Sequence, residues 1–230
     1  MKVYCMSQNS NIVPWSFSRI KAFEQCPKQF YHIKIAKDYV EEETHAMRYG
    51  TDAHAAAEEY MCSNTSIPSK FLYMKPVLDS LKKKKGKKYC EMKMGLTKKL
   101  QPCDFNDKDV WWRGIVDLVI VNEDKAWIVD YKTSKSALYA DKGQLELMAL
   151  ATFRYFPNIK KINAGLLFVV SNNFIAQTYT SDMIVTLWKK WISNFKRMKT
   201  AYDKDVWNAH PSGLCKRHCV VIECIHNGSN

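Results

Sequence analysis

Two aspartates and a lysine, Asp117, Asp130 and Lys132, stand inside a stretch from Trp111 to Lys135 that is otherwise mostly apolar. Val116, Leu118 and Ile120 alternate with Ile115, Asp117, Val119 and Val121. Asn122-Glu123-Asp124-Lys125 then breaks the pattern, and a second apolar run follows from Ala126 to Tyr131. Alternation interrupted by a short polar segment predicts two antiparallel strands joined by a tight turn. A turn symmetric about Glu123-Asp124 puts Asp117 opposite Asp130, with Cβ atoms roughly 4.5–5.5 Å apart, where like charges repel. One bulge would shift that pairing. Side chains alternate faces along a strand, so Asp130 and Lys132 project to the same side, beside Asp117. Two carboxylates and an ammonium there can hold a divalent cation through hard oxygen ligands with a positive charge next to it. Such a set suits phosphodiester cleavage. The cation binds the phosphate and lowers the pKa of its water, while Lys132 orients the nucleophile or offsets developing charge. The plainer alternative is a surface hairpin with one solvated acidic face.

Composition sets the frame that must hold this hairpin. With 230 residues and 47% hydrophobic content the chain can bury one substantial core, so one domain, residues 1–230, with appendages is predicted. Lys and Arg number 35 against 23 Asp and Glu, a net charge of +12 that suits a partner such as nucleic acid. The opening MKVYCMSQNS has no apolar signal core, and no apolar run approaches the ~18 residues of a membrane span. No membrane is expected as a partner. Eight cysteines without a secretory signal point to a reducing cytoplasm, with thiols or metal ligands rather than a disulfide framework. No internal repeat is present.

The run Arg113-Gly114-Ile115-Val116-Asp117, followed by Asp130-Tyr131-Lys132-Thr133, resembles the second and third motifs of the PD-(D/E)XK nucleases. Within that superfamily it is most similar to the RecB-like branch, which includes CRISPR-adaptation nucleases and phage exonucleases. The resemblance implies an α/β fold with a restriction-endonuclease-like core, a mixed central β-sheet flanked by α-helices, and helical N-terminal and C-terminal appendages. On that plan residues 16–61 carry the N-terminal helices and first motif, 89–180 the catalytic sheet, and 182–230 a basic helix and cysteine-rich tail.

Along the chain, Pro14 to Lys34 reads as a helix capped by Ser16 or Ser18, with Ile20, Phe23 and Phe30 inward and Pro27 kinking or restarting it. Its S-x-S-x-x-x-x-F-x-x-C-P-x-x-F pattern resembles the branch's amino-terminal signature, whose cysteine, here Cys26, sometimes binds an iron-sulfur cluster; a buried thiol is the alternative. Arg48 to Met61 is an alanine-rich helix predicted to open after Gly50, with His54 and Glu58 on one face and Ala53, Ala56, Ala57 and Tyr60 inward. G-x-x-x-H resembles the family's first motif, which makes His54 a metal ligand and admits Mn2+ as well as Mg2+. Lys82 to Lys88, KKKKGKK, is a solvated charge run, a nuclear address or, preferred on this basic protein, a phosphate contact through Lys82, Lys83, Lys84 and Lys85, with Arg113 assigned to DNA as well.

Tyr89 to Leu96 alternates as a strand, and its Glu91 stands where relatives carry an acid that serves a second metal or positions water; a simple exposed glutamate is the alternative. Gly143 to Phe156 is a helix ending before Pro157. There Gln144 matches the glutamine of the family's Q-x-x-x-Y motif, while Met148 replaces its tyrosine. Ile162 to Val170 and Asn173 to Thr180 read as strands, and Asp182 as the cap of a long amphipathic helix with Lys189, Lys190, Lys196, Arg197 and Lys199 on its basic side. The tail carries Cys215, Cys219 and Cys224 beside His218 and His226. With Cys26 these cysteines match in number the branch's [4Fe-4S] ligands, though not in spacing. Zinc, or no metal and packing alone, are the alternatives.

The resemblance thus implies an Mg2+- or Mn2+-dependent deoxyribonuclease, an exonuclease acting at DNA ends or single strands in recombination, repair or phage DNA metabolism. Asp117, Asp130, His54 and the Tyr131 carbonyl would hold the ion, with Lys132, Glu91 and Gln144 completing the site. A helicase or recombinase is the implied protein partner, and the cytoplasm of a bacterium or phage-infected cell the implied location. A non-catalytic DNA-end-binding protein, a structure-specific endonuclease and a metal-binding adaptor built on the tail are the other readings.

Overall fold

A computed structural model describes residues 14–138 and 140–228; the opening MKVYCMSQNS lies outside the described residues. In chain order the elements are α1 (Phe17–Gln25), α2 (Pro27–Phe30), α3 (His45–Ser63), α4 (Lys75–Lys83), β1 (Lys87–Leu96), β2 (Pro102–Cys103), β3 (Trp112–Asn122), β4 (Lys125–Lys132), α5 (Gly143–Tyr155), β5 (Lys161–Phe168), β6 (Asn173–Thr180) and α6 (Ile184–Lys204). They divide into two compact units, Glu42–Trp191 and the combination of Met1–Glu41 with Ile192–Asn230.

The first unit is a six-stranded sheet in the order β2-β1-β3-β4-β5-β6 with helices packed on it. β4 and β5 are parallel and the other neighbours antiparallel, so the sheet is mixed, as expected. The parallel pair needs a crossover, and α5 supplies it. The β3–β4 turn is the two-residue Glu123-Asp124, with Glu123 at φ 55° in the left-handed region. Leu118, Ile120, Val129 and Tyr131 share one face of the sheet, where Ala53, Ala56, Ala57 and Met61 of α3 and Leu78 of α4 pack on them. The small alanines let α3 lie close to the strands.

The long basic helix begins at Ile184, two residues after its proposed cap, because Ser181–Met183 forms a separate 3-10 turn that contains Asp182. Helix α3 starts earlier than predicted. Thr44 caps it, its hydroxyl accepting from the Met47 amide at 3.2 Å, and Gly50 lies inside the helix rather than at its start. The expectation that all cysteines are thiols or ligands is corrected at one place: Cys62 at the end of α3 is disulfide-bonded to Cys90 on β1.

In the second unit Ser16 caps α1, accepting from the Arg19 amide at 3.3 Å, and the chain restarts at Pro27 as α2, with the Cys26 sulfur accepting from the Gln29 amide. Trp15 stacks on Phe195 with centroids 5.5 Å apart, and Trp207 sits among Phe23, Phe30, Tyr31 and Tyr202. The tail folds over itself, with the Asn227 side chain donating to the carbonyls of Cys219 and Val221.

Candidate active site

Three acids form a row across three adjacent strands. Cys90 faces Leu118 and Met92 faces Val116 in the β1–β3 ladder, which sets Glu91 opposite Asp117. Leu118 faces Val129 in the β3–β4 ladder, the register dictated by a turn at Glu123-Asp124, and Asp117 and Asp130 come next. Neither pair forms a regular rung. Glu91 takes φ 43°, and the Tyr131 amide turns to Asp117, donating to Oδ2 at 2.6 Å. The sheet opens where the like charges meet, and the carboxylate takes up the amide that the ladder loses.

Side chains from both faces reach this opening. His54, from α3, brings Nδ1 to 3.3 Å from Asp117 Oδ2. Gln144, in the first turn of α5, donates through Nε2 to Asp130 Oδ1 at 2.7 Å and accepts from Lys132 Nζ at 3.0 Å. The same ammonium lies 2.6 Å from Asp130 Oδ2. Ligand atoms of His54, Glu91 and Asp117 all lie within 4.8 Å of one another, a group that could hold a metal ion. One imidazole and two carboxylates, without sulfur, suit a hard or borderline divalent cation such as Mg2+ or Mn2+. Asp130 stands beside this group, tied to Lys132 and Gln144.

Charge crowding is visible in the proton affinities. Burial, then the Asp117 charge, pushes the Asp130 carboxyl up to about 6 against the pull of Lys132 and His54. Burial followed by Asp117 raises Glu91 as well, with His54 opposing. For His54 burial acts downward, but the Asp117 hydrogen bond and the charges of Asp117, Asp130 and Glu91 outweigh it and raise the imidazole. Like charges in a partly desolvated place favour neutral forms until a cation arrives.

The glycine of the G-x-x-D spacing has a steric reason. A Cβ at Gly114 would lie 2.9 Å from the ring of Trp112, which is 1% exposed and cannot retreat. An open cleft of about 900 Å³ borders the row, lined by Met47, Thr51, His54, Glu58, Glu91 and Lys93 among others. Lys93 was missed in the sequence, although its place two residues after Glu91 on a strand was the available signal.

Three of the proposed DNA contacts lie over aromatic rings. Lys82 sits over the Tyr60 ring at 3.6 Å and donates to Asn64, and Lys84 sits over Trp127 at 4.7 Å; Lys83 ends α4 and Lys85 follows it, exposed. Arg113 stacks on Phe105 at 4.9 Å. In the other unit Cys26, Cys215, Cys219 and Cys224 line a small cavity of about 10 Å³. The amides of Gln29 and His210 point at the Cys26 sulfur and that of Ser212 at the Cys215 sulfur. Among the described residues no three ligand atoms here come within 4.8 Å of one another.

No curated protein matches the chain. A solved structure from Eubacterium rectale, a provisionally named exonuclease, aligns over 90% of this chain and 86% of its own at 11% identity with a TM-score of 0.53, a likeness of fold. A second structure, SSO0001, covers 76% of this chain and 84% of its own at 16% identity with a TM-score of 0.30. The model of the PD-(D/E)XK nuclease superfamily matches residues 14–224, across the mixed sheet, the acidic row and the cysteine tail. The chain therefore belongs to the PD-(D/E)XK nuclease superfamily.

Proposed function

We propose that this nuclease is a divalent-metal-dependent deoxyribonuclease, an exonuclease acting at DNA ends or on single strands. The observation that carries the reading is the row Glu91, Asp117 and Asp130 inside an apolar sheet, with His54 beside it and the Lys132 ammonium at its end. In this reading Asp117, Asp130, His54 and the Tyr131 carbonyl hold Mg2+ or Mn2+, and Glu91 serves a second ion or positions water. A bound ion supplies positive charge to the scissile phosphate and acidifies its water. Lys132, held between Asp130 and Gln144, positions the attacking water and offsets charge building on the phosphate oxygens. Lys82 to Lys85 and Arg113 meet DNA phosphates without regard to sequence.

The exonuclease assignment follows the RecB-like character of the motifs, and the Eubacterium rectale neighbour's name agrees with it. The family match runs through both compact units, which supports reading them as one functional nuclease domain. A helicase or recombinase partner and the cytoplasm of a bacterial or phage-infected cell complete the proposal. Among the described residues no helix is long and apolar enough to cross a membrane.

The test is cleavage of end-labelled linear and covalently closed circular DNA with Mg2+, Mn2+ or EDTA, with Asp130→Ala alongside. Metal-dependent loss of linear DNA only, absent in the variant, is expected. Nicking of the circle would replace the exonuclease by an endonuclease, and DNA binding without cleavage would leave a non-catalytic end-binding protein.

The convergence of Cys26 with Cys215, Cys219 and Cys224 is read as an iron-sulfur site. Cys26, Cys215, Cys219 and Cys224 would be its thiolate ligands, and zinc on the same sulfurs is the alternative that metal analysis distinguishes. Iron and sulfide in anaerobically purified protein, lost in Cys26→Ser, are expected; protein free of both would leave the tail held by packing.

A further inference from the structure

Two ammonium groups lie near the acidic row, and they are differently placed. Lys132 is engaged, with Asp130 at 2.6 Å and Gln144 at 3.0 Å. Lys93 is exposed, and among the described residues no ion pair or hydrogen bond engages its ammonium. It nevertheless lines the cleft together with His54, Glu58 and Glu91.

The topology explains why Lys93 is accessible. Among the described residues β1 is covered on its outer side only by β2, which pairs with Gly95 and Leu96, and no further strand lies along the edge from Lys87 to Met94. An uncovered edge leaves side chains on it reachable from outside the sheet. Across β3, Lys93 faces Ile115, itself 37% exposed, so this end of the β1–β3 surface is open as well. Helix α3 forms the opposite wall with the small side chains of Thr51 and Ala55 and with Gly50, which allow a chain of nucleotides to approach closely. Two residues along a strand span about 7 Å, a step on the scale of neighbouring phosphates. A cation two positions along the strand from Glu91, in a cleft whose carboxylates are Glu58 and Glu91, offers a polyanion its point of attachment.

We infer that Lys93 is a substrate-positioning residue: its ammonium holds the phosphate next to the one cleaved, setting the strand in register with the acidic row. The inference rests on the nuclease reading and divides the labour between the two lysines. Lys132 acts on the bond that breaks, and Lys93 on the placement of the strand. The contact carries no sequence information, since every nucleotide offers the same phosphate.

The test measures binding of a fluorescein-labelled single-stranded oligonucleotide across a salt series in EDTA, for the wild type, Lys93→Gln and Lys93→Arg, and separately KM and kcat with Mn2+. One lost phosphate contact lowers the slope of log K against log salt by about 0.7 for a single strand. Lys93→Gln is expected to show that decrease and a raised KM at nearly constant kcat, and Lys93→Arg to restore the slope. An unchanged slope in Lys93→Gln, or a fall in kcat at constant KM, would overturn the assignment, and the arginine variant reports whether charge is the cause. The binding arm needs no cleavage, so a slope decrease in a protein that cuts nothing would retain Lys93 as a phosphate contact while refuting the nuclease reading.

Discussion

Asp130→Asn is expected to remove cleavage and to make the metal-free protein more stable. Asp130 is 2% exposed, and burial together with Asp117 moves its carboxyl from 3.8 up to about 6. At 1.36 kcal/mol per tenfold change in proton affinity, that displacement costs the folded state about 3 kcal/mol once the group is ionised. The sign follows from proton counts. Between 3.8 and about 6 the folded state holds a proton that the unfolded state has released, so stability falls as pH rises through this window, and above it the full cost is present. Asparagine is neutral throughout and escapes the cost. It also withdraws the carboxylate from Lys132, but that ammonium keeps Gln144 at 3.0 Å and is 33% exposed, so it stays hydrated. The expected net gain is about 1–2 kcal/mol at pH 7.5, or roughly 2–8 °C in melting temperature for a chain of this size. Calorimetry in EDTA at pH 7.5 and 5.0 measures it. The gap between variant and wild type should be open at the higher pH and nearly closed at the lower. An asparagine variant no more stable than wild type at pH 7.5, or a gap independent of pH, would refute the claim that the row is electrostatically strained without its ion.

Further perturbations test the elements around the row. Mn2+ should raise the melting temperature of the wild type by preferential binding to the folded state, with little effect on His54→Ala or Glu91→Gln; equal shifts in all three would remove both residues from the ion's ligands. Opening the Cys62–Cys90 bridge, which closes a separation of 28 residues, should cost up to about 3–4 kcal/mol on chain entropy. Denaturant titration with and without reductant measures this, and the Cys62→Ser, Cys90→Ser double variant should be insensitive to reductant. Gly114→Ala presses a methyl group into the Trp112 ring and should lose about 1–3 kcal/mol in the same assay. Lys132→Ala should abolish turnover and lower the melting temperature at pH 7.5, because the buried Asp130 loses its cation; retained turnover in both Lys132→Ala and Asp130→Ala would remove the site from the row.

The legible half of the row and the illegible half differ in how their strands are connected. Asp117 and Asp130 lie on strands joined by Glu123-Asp124, and a two-residue turn fixes register so tightly that their opposition follows from counting. The helix that carries Gln144 was legible from the apolar run that ends before Pro157, but Gln144 itself was assigned through resemblance. Glu91 was assigned only through resemblance. Its strand reaches β3 through residues 97–111, a connection too long and irregular to fix a register by counting, so the sequence gives no reason to set Glu91 opposite Asp117. The Cys62–Cys90 bond was hidden in the same way, because it joins a helix to a strand across that unread register, and composition alone favoured thiols. The early start of α3 was masked by Gly50, which looks like a boundary but is tolerated within a 19-residue helix packed on the sheet. The burial pattern resolves the register that local sequence leaves open. Met94 and Leu96 are fully buried while Lys93 is exposed, and with Cys90 set against Leu118 a slip of one residue would turn Met94 and Leu96 to the opposite face and carry Glu91 away from Asp117. The core therefore holds the third acid in the row.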